Sequence, residues 1–444
     1  MRPIIHQSIT TIGRSLSARA VFNPRVTVTH ADSDVSALTK EKIDKFNKYT
    51  VTTYGRPDII VERGNGCYLY DSAGREYLDF TAGIAVVGLG HADPDVAKVI
   101  AEQAQKLIHI SNLYHNEHAG PLAELLIEQT NQHNTTSWAS KVFLANSGTE
   151  ANEGALKFAR KWGKQFSQDK FKVISFTNAF HGRSMGALSA TYNPKYQKPF
   201  APLVPGFITA PYNDIDATLQ LIDDDTCGVI IEPVQGEGGV HPATEEFLAA
   251  LRKRCNETNT LLIFDEIQCG LGRTGKLWGH QLFSESCQPD ILTAAKPISN
   301  GVPMGAIITS EKVGELIKLG DHGTTFGGNP LASAVARHVV GRISDEKFLE
   351  SVNEKGKLLR QYLTQVQEKY PDTVKEVRGQ GLLIGVEFKK DPAPIVKLAR
   401  ERGLLVVTAG CNTVRIVPPL IINEEQMVQG VARFAGAIEA FKQL

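Results

Sequence analysis

No apolar run in this 444-residue sequence approaches the roughly 18–20 residues that a bilayer-crossing helix needs. Net charge is missing as well. Forty-eight basic residues balance 48 acidic ones, so no global field draws the chain to nucleic acid or an anionic membrane. The six cysteines, Cys67, Cys227, Cys255, Cys269, Cys287 and Cys411, are scattered without CxxC or any metal-like spacing. That excludes a disulfide framework and points to free thiols in a reducing compartment, with no metal site expected. Internal repeats and low-complexity segments are absent, which rules out a repeat array. Acidic residues are absent from the start of the chain until Asp32, while Arg2, Arg14, Arg19 and Arg25 are interleaved with apolar residues, Ser and Thr. Arg-rich, Ser-containing and acid-free is the composition of an organelle transit peptide, so residues 1–30 are set aside and a mitochondrial matrix location is expected.

What is present is a large supply of core: 42% of residues are hydrophobic and 22% charged, enough for more than one domain. From about 36 to 80 the chain is turn-rich, and "YLYDSAGREYLDF" reads as a small antiparallel hairpin. Asp93 and Pro94 mark a helix start, as N-cap and first helical residue. The middle then alternates. "KVFLA" (141–145), "FKVISF" (171–176), "GVIIE" (228–232), "LLIFD" (261–265), "ILTAA" (291–295) and "GAIIT" (305–309) are short apolar runs, several of them divided by helical patterns. Apolar strands alternating with helices imply a parallel sheet covered on both faces. After about 345 a long charged helix (346–370), three short strands and a closing helix form a smaller α+β unit. The expected division is residues 36–95 as an N-terminal segment joining the small domain, 96–344 as the large domain and 345–444 as the small one.

"GLGRTG" (270–275) satisfies G-x-G-x-x-G after a strand, but Asp265, Glu266 and Gln268 intervene and "KLWGHQLF" makes a poor crossover helix. Those glycines are better read as a loop. The productive positions are the carboxyl ends of the strands, where open α/β sheets hold their ligands. "KVFLA" leads into "NSGTEANEGALKF", whose helix start offers the Gly148 and Thr149 amides and a hydroxyl to a phosphate group. The bland alternative there is an ordinary cap, Thr149 with Asn152 or Glu153 behind it. "AFHGRSMG" brings Phe180, a histidine and Arg183 to the same rim, and "PVQGEGG" brings Glu237 in a flexible loop. "LLIFD" ends in Asp265 and "ILTAA" is followed by Lys296. A phosphate cradle, an aromatic plate, an acid and an amine are what pyridoxal 5′-phosphate (PLP) requires: helix amides for the phosphate, a carboxylate for the ring nitrogen, a lysine for the aldehyde carbon.

The motifs "NSGTEANEGALKFARKW", "FHGRSMGALSATYNPKYQKPFAPL", "EPVQGEGG", "LLIFDEIQCGLGRTGKLW", "PDILTAAKPISNGVPMGA" and "HGTTFGGNPLASAVA" resemble the class III (subgroup II) aminotransferases, from about residue 45 to the C-terminus. Within the class, "YLYDSAGREYLDFTAGIAVVGLGH" and the cysteine of "DEIQCGLGRTG" are most similar to the branch acting on N-acetylornithine. The resemblance implies the PLP-dependent transferase fold type I: a large domain with a mainly parallel sheet flanked by helices, a smaller α+β domain, and a homodimer with shared active sites. It implies PLP on Lys296, its phosphate at Gly148 and Thr149, Phe180 on the ring, Asp265 at the ring nitrogen and Gln268 near the phenolic oxygen. Thr325 would reach the neighbouring subunit's cofactor phosphate, with Thr324 near the substrate. Arg183 would bind the α-carboxylate of N-acetylornithine, and Arg415 that of glutamate or 2-oxoglutarate. Glu237 would pair with Arg415 while the basic substrate is bound, and Tyr54 would stand at the substrate mouth. Ornithine or 4-aminobutyrate aminotransferase is the alternative within the class, and a non-catalytic fold-type I scaffold the alternative outside it. Pro297 departs from the family pattern and is expected to hold Lys296 towards extended backbone.

Overall fold

The computed structural model describes residues 27–132 and 137–444, so most of the basic N-terminal stretch lies outside the described residues. Seven strands form the central sheet. Their spatial order is Lys141–Ala145, Gly305–Thr309, Ile291–Ala294, Leu261–Asp265, Thr226–Ile231, Lys172–Phe176 and Phe207–Ala210. Six of them run in one direction. Gly305–Thr309 runs antiparallel to both its neighbours, so the sheet is mixed. An apolar strand reads alike in either direction, and here a short turn returns the chain through "NGVPM" without a crossover helix. The strand Phe207–Ala210 at the sheet edge was not foreseen, because only four residues separate its turn signals.

The alternation of strand side chains is what covers this sheet twice. Ile263 of "LLIFD" packs with Ala151, Ala155, Phe158 and Ala159 of the helix Gly148–Gly163. Its neighbours Leu262 and Phe264 face Phe247, Leu248 and Leu251 of the helix Glu245–Glu257 on the other side. A third cluster joins Leu292, Ala306 and Ile308 to Val335 and Val339 of the helix Pro330–Ile343. Both faces being buried, the strands are continuous apolar runs.

The C-terminal unit is an antiparallel sheet ordered Val374–Gln380, Leu383–Phe388, Thr413–Ile416 and Val407–Ala409. The helices Glu346–Lys369 and Glu424–Phe441 cover it through Leu359, Leu363, Val366, Val431, Phe434 and Ile438. The hairpin Tyr68–Asp71/Glu76–Asp79 lies in a second small sheet, and Leu404–Leu405 pairs in parallel with its strand Glu76–Asp79. Cys67, Leu78 and Phe80 are accordingly buried in the C-terminal core. Among the described residues no helix is long and apolar enough to cross a membrane.

Candidate active site

The strand ends enclose a cavity of about 400 Å3 lined by Gly148, Thr149, Phe180, His181, Arg183, Glu232, Asp265, Gln268 and Lys296 among others. Seven of the residues singled out from sequence therefore meet in one place. The helix Gly148–Gly163 is capped by Ser147, whose hydroxyl accepts from the Glu150 amide, and not by Thr149. That leaves the Gly148 and Thr149 amides among the donors with no intrahelical acceptor. Thr149 Oγ1 lies 2.7 Å from Ser184 Oγ, and a Cβ on Gly182 would stand 2.3 Å from Thr149 Oγ1, so only glycine lets the loop pass here.

Asp265 is held by a buried network. Its Oδ2 accepts from Asn152 Nδ2 at 2.8 Å and lies 2.7 Å from His181 Nδ1. The same Asn152 amide donates to the His181 carbonyl at 2.7 Å, and its oxygen accepts from the Thr293 hydroxyl at 2.8 Å. Among the described residues Oδ1 accepts only from the Ile267 amide, at 3.1 Å, and keeps capacity for a further donor. Asn152 and Thr293 were missed at sequence level; Asn152 sits inside a helix, where its burial against the sheet is not legible.

Lys296 opens a short 3-10 turn, Lys296–Ser299, and is half-buried on the cavity wall. Its φ is +38°, left-handed and not extended, which overturns the expectation drawn from Pro297. Pro297 is the second residue of that turn, where its missing N–H would have no acceptor within the turn. Packing of the buried Pro297 and Ile298 holds the backbone in this costly conformation. Burial lowers the pKa of Lys296, the Arg415 charge lowers it further, and Asp265, Glu232 and Glu237 partly offset this. The amine is thus inclined towards its neutral form. Glu232, also missed from sequence, accepts from the Phe180 and Gly236 amides, both at 3.1 Å. Burial pushes its carboxyl up to about 7; the His181 charge opposes that and Asp265 adds to it.

Arg415 has no exposed surface. It donates to Gln268 Oε1 at 2.7 Å and pairs with Glu237 at 2.8 Å. The Glu237 loop is tied down more than its glycines suggested, since Gly410 donates to the Glu237 carbonyl at 2.7 Å. Arg183 is exposed and lies 3.4 Å from the Tyr196 ring centroid and 5.7 Å from that of Phe180. Thr324 is not on the cavity wall but its hydroxyl accepts at 3.0 Å from Asn146, which is; Thr325 is exposed and also off the wall. Tyr54 is also outside, exposed beside Phe46 and Arg56. "GLGRTG" forms turns in which Gly272 and Gly275 have φ of +82° and +84°, and no helix follows as a dinucleotide site would need.

This donor set fits PLP. Free helix amides stand at one part of the wall, a carboxylate with one oxygen saturated and one open at another, and an amine inclined to neutrality completes it. Comparison with known proteins agrees. Residues 50–438 match the class III aminotransferase family. The mitochondrial acetylornithine aminotransferase of Neurospora crassa is 50% identical over 96% of this chain and 93% of that protein. That of Yarrowia lipolytica is 54% identical over 88% and 94%. Among solved structures, the ornithine aminotransferase of Toxoplasma gondii aligns with a TM-score of 0.85 at 32% identity, over 93% of this chain and 97% of that one. The N-acetylornithine aminotransferase of Stenotrophomonas maltophilia gives 0.76 at 36%, over 90% and 99%. Matched over most of its length, the chain belongs to the class III aminotransferases, PLP-dependent enzymes that move an amino group between small molecules.

Proposed function

We propose that this enzyme is a mitochondrial acetylornithine aminotransferase, moving the δ-amino group of N-acetylornithine to 2-oxoglutarate in two half-reactions and serving arginine biosynthesis. The observation that carries the substrate is identity of 50–54% to relatives named for that activity and compartment, across nearly the whole chain. A second reading, free ornithine as donor, has in its favour the TM-score of 0.85 to the Toxoplasma gondii enzyme.

When bound, PLP supplies the electron sink that accepts the pair left behind as the donor carbon loses its proton. The chain's own groups do the rest. Gly148 and Thr149 hold the phosphate at the positive end of their helix. Phe180 covers the ring. Asp265, clamped on Oδ2, would face the ring nitrogen and keep it protonated. Gln268 stands by the phenolic oxygen. Lys296 would hold the cofactor, and its Nζ, inclined to neutrality by burial, would take and return the donor's proton. Arg183 takes the donor's α-carboxylate, near Thr324. Arg415 takes that of glutamate or 2-oxoglutarate once Glu237 lets it go, so one site serves two substrates of different length.

Two copies are proposed to complete the site, Thr325 reaching the other subunit's phosphate and Tyr54 lining the substrate mouth. The described helix Ala37–Tyr49, which buries none of its residues within the chain, supports this, as do the exposed Phe46, Tyr49, Val51 and Tyr54. The deciding experiment compares kcat/KM for N-acetylornithine, ornithine and 4-aminobutyrate with 2-oxoglutarate as acceptor. Preference for the acetylated compound by about tenfold or more supports the assignment, and preference for either free ω-amine overturns it.

A further inference from the structure

The two arginines of the site are held in different ways. Arg415 is fully buried, with one Nη on Gln268 Oε1 and the other on Glu237 Oε2. Its order comes from a carboxylate that must leave before a substrate carboxylate can bind. Arg183 has no ion pair and no side-chain hydrogen bond among the described residues, and its Cζ lies 3.4 Å from the centre of the Tyr196 ring. At that separation a planar guanidinium lies against the ring face. Such a contact orders the cation while leaving its N–H donors unoccupied, which no acidic partner could do.

Ring and arginine are anchored from opposite sides. On the arginine side, Glu153 Oε1 accepts from the Gly186 and Ala187 amides at 2.7 and 3.1 Å, and Ser184 is joined to Thr149. On the ring side, Tyr196 belongs to the short turn Pro194–Gln197, capped by the Asn193 side chain through the Lys195 amide. Gln197 Nε2 ties that turn back to the Thr191 carbonyl at 2.7 Å and the Leu188 carbonyl at 3.2 Å. Tyr196 is half-buried and is not part of the cavity wall. Its hydroxyl makes no hydrogen bond among the described residues. Only the ring face is used.

We propose that Tyr196 is a specificity-determining positioning residue: its ring presets the Arg183 guanidinium for two-pronged capture of the amino donor's α-carboxylate. This rests on the reading of Arg183 given above. A free arginine side chain loses much rotamer freedom when it binds, and a preset one loses less, so the plate favours the donor bound through Arg183 and is neutral towards the oxo acid bound through Arg415.

The test measures, on the full holoenzyme, kcat/KM for N-acetylornithine and for 2-oxoglutarate separately, since in a two-step exchange each reports its own half-reaction. Tyr196→Leu is expected to lower the donor value about 3- to 10-fold and leave the oxo-acid value within about twofold. Tyr196→Phe, which keeps the ring face, is expected to match the wild type. Tyr196→Met fills similar space without a ring and replaces the leucine variant should that fail to fold. Equal loss for both substrates, or a phenylalanine variant as poor as the leucine one, overturns the proposal. Arg183→Ala serves as control. If it spares the donor, the reading of Arg183 itself is wrong, an outcome distinct from failure of the plate.

Discussion

In the proposed reading Lys296 concentrates the chemistry of the site into one side chain, and its backbone and charge are both displaced from the ordinary. Its left-handed φ is maintained by the buried turn behind it, and its amine is pushed towards neutrality by burial and by Arg415. Lys296→Ala should abolish the visible band of bound PLP and lower transfer by about 1,000-fold or more, which absorbance and steady-state rates would show. In apoprotein, the rate of covalent PLP attachment should rise with pH through a midpoint below the ordinary lysine value of 10.5. A midpoint at or above that value would contradict the account of the site's electrostatics. Glu232 gives the opposite sign. Its folded-state pKa, about 7, lies above the ordinary 4.5, so its proton favours the folded state. No penalty exists below the ordinary value; it grows as pH rises and is complete above about 7. Relative to Glu232→Gln, the wild type should therefore lose unfolding free energy over that window, read from melts at a series of pH values.

At the scale of elements, the site is precise because strands and one helix carry it. Lys296 and Asp265 were legible because each directly follows an apolar run, where a buried strand gives out onto the sheet's carboxyl edge. The clamp on Asp265 was not legible, because Asn152 and Thr293 meet it only after the helix Gly148–Gly163 has packed across the strands. Direction of the strand Gly305–Thr309 was hidden too, since hydrophobicity carries no arrow. Lys296 shows a further limit: the rule for a residue before proline describes an isolated dipeptide, and tertiary packing overrode it. The packing of that helix can be tested at its C-terminal end. A Cβ on Gly163 would stand 2.1 Å from the Lys170 carbonyl oxygen and 2.7 Å from Cys227 Cβ. Gly163→Ala should cost about 1–3 kcal/mol of stability, measured by denaturant unfolding. An unchanged midpoint would mean that the helix sits further from the strand than described.

For the whole molecule, the large sheet and the C-terminal sheet are joined beside the cavity, and in the proposed reading each supplies one arginine to the substrate site. Arg183 lines the cavity at the large sheet's rim, and Arg415 lies off its wall on the strand Thr413–Ile416 of the C-terminal sheet. The loop after "LLIFD" links them: Gln268 meets Arg415, and the fully buried Arg273 donates to the Leu382 and Pro418 carbonyls on either side of the small sheet. Sedimentation should return twice the chain mass of 48.5 kDa, the helix Ala37–Tyr49 being covered in the assembly. A monomer with full activity would contradict the shared site. The central claim, one site that accepts an amine from N-acetylornithine and passes it to 2-oxoglutarate, is tested most directly by absorbance of the purified holoenzyme. N-acetylornithine alone should bleach the visible band of bound PLP, and 2-oxoglutarate alone should then restore it. A band indifferent to N-acetylornithine but bleached by free ornithine or 4-aminobutyrate would contradict the substrate, and no band after addition of PLP would contradict the site.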